Sequence, residues 1–304
     1  MRFGVHVGIG GGFRKTVAEA LAAECECIQI FAGNPRGWRI TPYNPQAWKE
    51  FAQLRRAAGL RPTVIHTSYL INLAAADAAL RNKSAKLVAN DLMVAAKGNI
   101  EYVNTHLGSY GTQPREHGFA RVCTLLQRLI RKAPAGPMLL LENSASGGNR
   151  CAGSLQEIGE FVRAIGSSRI GVCLDTAHLW ASGYEIATKK GVARMLADAD
   201  KHIGFERIHA LHINDTEVAL GARNDVHWHV GKGQIGAAGF RALLTCRALA
   251  DVACICETPK TPELDLENVR TAKRLAGRRR SAIGTIPKTL DTKAPSATFH
   301  APAR

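Results

Sequence analysis

The chain has 304 residues, 46% of them hydrophobic, which is enough for one large domain with a substantial core. No apolar run reaches the roughly eighteen residues of a membrane span. The opening stretch, MRFGVHV, turns directly into a strand-like pattern without the apolar core of a secretion signal, so the protein is expected in the cytoplasm. The net charge is +15, from 40 basic and 25 acidic residues. The last 28 residues hold six Lys or Arg against one Asp, so most of the excess lies on the body of the chain. A basic body suits a polyanionic partner such as nucleic acid, although the same excess also serves solubility.

Short apolar runs alternate with longer helical patterns. Strands are predicted at 2–7, 26–31, 62–66, 101–106, 137–142, 169–175, 207–213 and 252–257. Many are apolar at nearly every position, as befits parallel strands covered on both faces. Between the first two strands, residues 15–24 place Val17, Ala20 and Leu21 on one helical face. Residues 46–58 do the same for Trp48, Phe51 and Leu54, before Gly59 and Pro62 end the helix. Ser154 and Glu157 form a capping-box pattern ahead of Leu155, Ile158, Phe161, Val162 and Ile165, and Gly166 suits the stop. Eight strands with longer connections predict an α/β fold, a TIM-type (β/α)8 barrel over 1–276. A doubly wound sheet is disfavoured because the Gly8–Gly12 turn lacks the dinucleotide fingerprint. From Gly277 to Arg304 the chain loses periodicity and reads as a basic, disordered tail.

Eight cysteines in a chain this long do not make a disulfide scaffold. Cys25/Cys27 and Cys254/Cys256 are spaced to share a strand face, which is tighter than the usual spacing of metal-binding pairs. They are read as buried, reduced thiols.

The strand ends carry the chemistry. Near them stand His6, Phe31, His66, His106, Glu142, Asp175, His212 and Glu257. A single His or carboxylate there is commonly a hydrogen-bonding or capping residue. Seven of eight is a different matter, because the strand ends of a TIM barrel converge on one rim. Buried carboxylates facing one another need protons or cations. His178, Asp225 and His227 lie just beyond strands and complete a set of His66, His106, Glu142, Asp175, His178, His212, Asp225, His227 and Glu257. Imidazole with carboxylate, and no Cys, suits Zn²⁺ and also Mn²⁺, and so many ligands suit two or three ions with bridging carboxylates.

These residues sit in seven local stretches: HTSYLINL from His66, NTHLGS from Asn104, LEN from Leu141, GVCLDTAH from Gly171, HIND from His212, Asp225-Val226-His227 with Gly231-Lys232-Gly233, and CET from Cys256. In that order and at barrel spacing they resemble the endonuclease IV family of apurinic/apyrimidinic endonucleases, over residues 1–276. The resemblance implies three zinc ions. His66, His106 and Glu142 would hold the first. Glu142, Asp175, His212 and Glu257 would hold the second, and His178, Asp225 and His227 the third. It implies a monomer acting on double-stranded DNA with abasic lesions. Zinc-activated hydroxide would hydrolyse the phosphodiester 5′ to the lesion, leaving a 3′-hydroxyl and a 5′-deoxyribose phosphate. Glu257 would orient or deprotonate the water, and Glu142 would bridge two ions at the catalytic centre. The segment Gly33-Asn34-Pro35-Arg36-Gly37-Trp38 resembles the family's DNA-penetrating loop, so Asn34, Arg36 and Tyr69 are the expected DNA contacts. Three positions depart from the pattern: Pro35 stands where Gln is expected, Val226 where Arg is, and Lys232 where an acid is. Among the remaining histidines, His6 is the one placed to touch the site. Two other readings compete. A sugar isomerase on the same barrel would keep a smaller metal site without the His66–His106 pair, and a non-enzymatic DNA binder would carry closed, four-coordinate structural zinc.

Overall fold

The computed structural model describes residues 1–278. Its strands are β1 (Arg2–His6), β2 (Cys27–Phe31), β3 (Thr63–His66), β4 (Tyr102–Thr105), β5 (Met138–Glu142), β6 (Ile170–Asp175), β7 (Ile208–His212) and β8 (Ala253–Cys256). They pair in parallel in chain order, and β8 closes on β1 from Arg2↔Ala253 to Val5↔Cys256. All eight predicted strands form, each a residue or so shorter than its apolar run. Around them lie α1 (Phe13–Ala22), α2 (Pro45–Ala57), α3 (Ala78–Lys97), α4 (Arg115–Lys132), α5 (Leu155–Ile165), α6 (Thr176–Ala181), α7 (Lys189–His202), α8 (Gly236–Leu244) and α9 (Pro262–Leu275). Among the described residues no helix is long and apolar enough to cross a membrane.

Local chemistry sets the helix ends. Ser154 caps α5 by accepting from the Glu157 N–H at 3.1 Å, and Gly166 ends it at φ 66°. The return half of the capping box takes a variant form: Glu157 accepts from the Gly153 N–H and from the Tyr110 hydroxyl. α6 was not anticipated. It is a single short helix that follows β6 directly, because Asp175 is both the last residue of the strand and the cap that accepts the His178 N–H at 2.8 Å.

The pleat sorts the barrel interior into layers. Cys27, Leu140, Cys173, Ala210, Ala253 and Ile255 form a small apolar cluster separate from the main core. The main core lies between strands and helices and includes Val17, Trp48, Phe51, Phe161 and Phe240. Gly4 lets β1 close on β2, since a Cβ there would sit 1.7 Å from the Cys27 carbonyl oxygen. All eight cysteines are free and seven are buried. Burial pushes the thiols of Cys25, Cys173 and Cys254 up to about 12. Cys254 and Cys256 share the outer face of β8, as their spacing predicted. Cys25 and Cys27 do not share a face: Cys25 falls in the turn before β2 and packs in the outer core, whereas Cys27 points into the barrel. Of the predicted tail, residues 279–304 lie outside the described residues. Arg278 returns to the barrel, pairing with Glu26 at 2.7 Å and covering the Phe3 ring.

Candidate metal centre

Advancing two residues along a strand from the apolar cluster keeps the same face and reaches the rim. Cys27 gives way to Gln29, Leu140 to Glu142, Cys173 to Asp175, Ala210 to His212 and Ile255 to Glu257. His66 ends β3, and His106 lies one residue past β4. Three groups result whose ligand atoms lie within 4.8 Å of one another: His66/His106/Glu142, Glu142/Asp175/His212/Glu257, and Asp175/His178/His227. The third group includes Asp175, while Asp225 spans its two imidazoles, with Oδ1 3.1 Å from His178 Nε2 and 3.2 Å from His227 Nε2. Glu142 joins the first two groups, with Oε2 3.2 Å from His66 and 3.5 Å from His106, and Oε1 3.1 Å from His212. A cavity of about 360 Å³ opens over these residues, edged by Tyr69, Arg150 and Lys260.

Four of the five imidazoles are oriented from behind. His66 Nδ1 donates to the Thr67 carbonyl (2.7 Å), His178 Nδ1 to the Asn143 carbonyl (2.8 Å) and His227 Nδ1 to the Glu257 carbonyl (3.2 Å), leaving Nε2 inward in each case. His212 is turned the other way. Its Nε2 donates to Gln29 Oε1 at 2.9 Å, so Nδ1 faces Glu142 and Glu257, each at 3.1 Å. The carboxylates are also held. Asn104 donates to Glu142 Oε2 at 2.6 Å, and Gln29 to Glu257 Oε1 at 2.5 Å. Asn214 donates to Asp175 Oδ2 and accepts the Glu257 N–H, both at 2.7 Å. Asn143 accepts the Asp175 N–H at 2.6 Å. The loop that carries Asp225 and His227 is pinned by buried Asp215, which accepts the N–H groups of Thr216, Gly233, Ile235 and Gly236 at 2.8 to 3.1 Å. A Cβ on Gly233 would collide with that carboxylate.

The electrostatics suit cations. Burial alone would raise the carboxyls, yet the surrounding imidazoles hold Glu142 and Glu257 well below the usual range, and Asp225 is lowered too. Burial opposes charge on the histidines. Asp175 and Asp225 nevertheless raise His178 to about 10 and His227 to about 9. His106, more weakly paired, is lowered by burial to about 4. The Nε2 atoms of His178 and His227 are buried without a hydrogen-bond partner, although a carboxylate oxygen lies close to each. Unpaired imidazole nitrogens facing carboxylates, each nitrogen fixed in tautomer by its partner on the far side of the ring, fit a cluster of divalent ions.

Residues 17–277 match the family model described as a xylose isomerase-like TIM barrel. The chain is 37% identical to a probable endonuclease 4 of Natranaerobius thermophilus, over 91% of this chain and 99% of that relative. It superposes on the crystal structure of endonuclease IV from Thermus thermophilus with a TM-score of 0.82 at 36% identity, covering 91% of this chain and 99% of the other. The chain belongs to the endonuclease IV family. A D-tagatose 3-epimerase-like structure aligns with a TM-score of 0.69 at 17% identity, which shows the shared barrel and nothing further. The His66–His106 pair and the Asp225–His227 segment line the same cavity.

Of the expected DNA contacts, Tyr69 edges the cavity, while Asn34 and Arg36 lie on the loop after β2. Asn34, Arg36 and Tyr69 are exposed, Tyr69 at 59%. Tyr69 packs edge-on against Phe31, whose ring also meets His6 and His66. The Pro35 carbonyl docks the loop, accepting from the Ser68 hydroxyl and the Tyr69 N–H. Lys232 pairs with Glu267 on α9 at 2.7 Å. Val226 is exposed and carries no charge. His6 lines the cavity, with Nδ1 3.8 Å from Glu257. Sequence reasoning missed the supporting residues Gln29, Asn104, Asn143, Asn214 and Asp215. Gln29 had a signal, as a polar residue inside the apolar run ECIQIF.

Proposed function

We propose that this endonuclease IV family member is a zinc-dependent repair enzyme that hydrolyses the phosphodiester 5′ to abasic sites in duplex DNA. The observation that carries the reading is the convergence of nine His, Asp and Glu side chains from six strand ends and their loops on one rim under an open cavity, eight of them in three overlapping groups and Asp225 against two of the imidazoles. His66, His106 and Glu142 would hold one ion. Glu142, Asp175, His212 and Glu257 would hold a second. His178, Asp225 and His227 would hold a third, with Asp175 within reach. Bound there, zinc lowers the pKa of water towards neutrality and offsets the charge that builds on the phosphate.

The protein's own groups do the rest. Glu257 takes the proton of the attacking water, whose oxygen bonds to phosphorus as the bond to the upstream 3′ oxygen breaks. The proton held by Glu257 returns through solvent to that oxygen, which leaves a 3′-hydroxyl and a 5′-deoxyribose phosphate. Gln29 fixes one oxygen of Glu257 and orients the other towards His212. Asn34, Arg36 and Tyr69 engage the duplex around the lesion, where missing stacking makes extrusion of a nucleotide least costly. The enzyme acts as a monomer.

The test is incubation of the purified protein with a duplex carrying one synthetic abasic site. Products are sized with and without a chelator, and metal content is measured. A single nick 5′ to the lesion is expected, abolished by the chelator and restored by zinc. An intact strand from the zinc-loaded protein would overturn the reading.

A further inference from the structure

Two cations edge the cavity, and they differ in how far they are committed. Lys260 donates to the His6 carbonyl at 2.5 Å and lies 3.9 Å from Asp265. Arg150 has a single ionic contact, a loose 3.7 Å approach of Nη1 to Asp225 Oδ2, with its side chain 47% exposed. Its backbone is well fixed. It follows the turn at Gly147–Asn149, bridges to Ser109, and is flanked by the Cys151 N–H bonded to the Gly108 carbonyl at 2.9 Å. Asp225 is shared, with Oδ1 turned to His178 and His227 and Oδ2 turned to Arg150. The guanidinium therefore stands at the outer edge of the third ligand group with most of its N–H donors directed to no protein acceptor. Val226, between Asp225 and His227, carries no charge.

We infer that Arg150, on the loop after β5, binds a backbone phosphate of the DNA strand lying over His178, Asp225 and His227. The inference rests on the endonuclease reading above. The chemistry suits it: a planar guanidinium matches two phosphate oxygens at once, and phosphate contacts of this kind set the register of a duplex without reading its bases. Arg150 is a binding residue, and its effect should fall on association with DNA and on KM more than on kcat.

The experiment titrates a fluorescent abasic duplex into the zinc-loaded protein at several salt concentrations, in a Glu257→Gln background that prevents turnover. Arg150→Ala and Arg150→Gln should weaken binding about tenfold and lower the slope of log affinity against log salt by about 0.9, the signature of one lost phosphate contact. Arg150→Lys should keep the slope. Arg131→Ala, on the last turn of α4, should leave both unchanged. Zinc content, measured on every variant, should stay constant. An unaltered salt slope in Arg150→Ala, or weakened binding that tracks lost zinc, would overturn the inference; the second outcome would make Arg150 a support for Asp225 instead. Failure of the endonuclease reading shows separately, as an intact abasic strand after incubation with the protein carrying native Glu257 and Arg150.

Discussion

The barrel interior has two floors made by the same strands. On the lower one Cys27, Leu140, Cys173, Ala210 and Ile255 meet as a buried apolar cluster. Two residues further along each strand, Gln29, Glu142, Asp175, His212 and Glu257 meet as a polar one. The backbone geometry is shared, so the difference lies wholly in what the side chains require. The lower floor stabilises by leaving water and tolerates any packing that fills the space. The upper floor places charge in a low-dielectric site and is tenable because every group is paired, oriented and open to compensation by a cation. Asp91 on α3 is an instructive third case. It is buried with one weak partner, Asn90 at 3.4 Å, and burial pushes its carboxyl up to about 7. Glu142, equally buried but ringed by imidazoles, is pushed the opposite way.

Glu257→Gln should break the upper floor most severely. Cleavage is expected to fall about 10²–10⁴-fold, the worth of a general base, with the folded structure and some DNA binding retained. Unchanged cleavage would remove Glu257 from the proton transfer. Leu140→Ala strikes the lower floor. It should cost about 2–4 kcal/mol in urea melts through the cavity it leaves, while zinc bound per folded molecule stays the same. Zinc loss ahead of unfolding would show that the floors are coupled. Asn214→Ala removes support without removing a ligand, since Asn214 holds both Asp175 and the Glu257 backbone. Zinc affinity should drop about 10–100-fold in competition with a chromophoric chelator, and an unaltered affinity would make this asparagine a strand-end spacer only.

Asp91→Asn gives the smallest effect and a pH signature. Because the folded carboxyl binds its proton more tightly than the unfolded one, ionisation costs stability. That cost is absent below the unfolded value near 4 and grows as the pH rises through about 7. The asparagine variant should therefore match the parent near pH 4 and exceed it by about 1–3 kcal/mol at pH 8. A gap independent of pH would mean that packing, and not charge, explains it.

Much of this was legible because strand periodicity is short and strict. Once β5 and β6 are recognised from MLLLE and IGVCLD, the position of Glu142 and Asp175 at the rim follows without any tertiary information. Loops obey no such period. The role of Arg150, the docking of the Asn34–Arg36 loop through the Pro35 carbonyl, and the four N–H bonds of Asp215 all depend on backbone placed from distant parts of the chain. The misread pair Cys25/Cys27 failed for a related reason: the apolar run began before the strand did, and two residues of spacing mean a shared face only inside a strand.

The amino-acid sequence by itself determined the barrel, the order of its strands and the chemical character of its rim, because alternation along a strand and burial on both faces are local properties of the chain. Only the tertiary structure decided which nitrogen of each histidine faces the centre, that Asp175 stands between two ligand groups, and that Asp225 divides its oxygens between imidazoles and Arg150. Those are distances of a few ångströms between residues far apart in sequence, and closing the barrel is what brings them together.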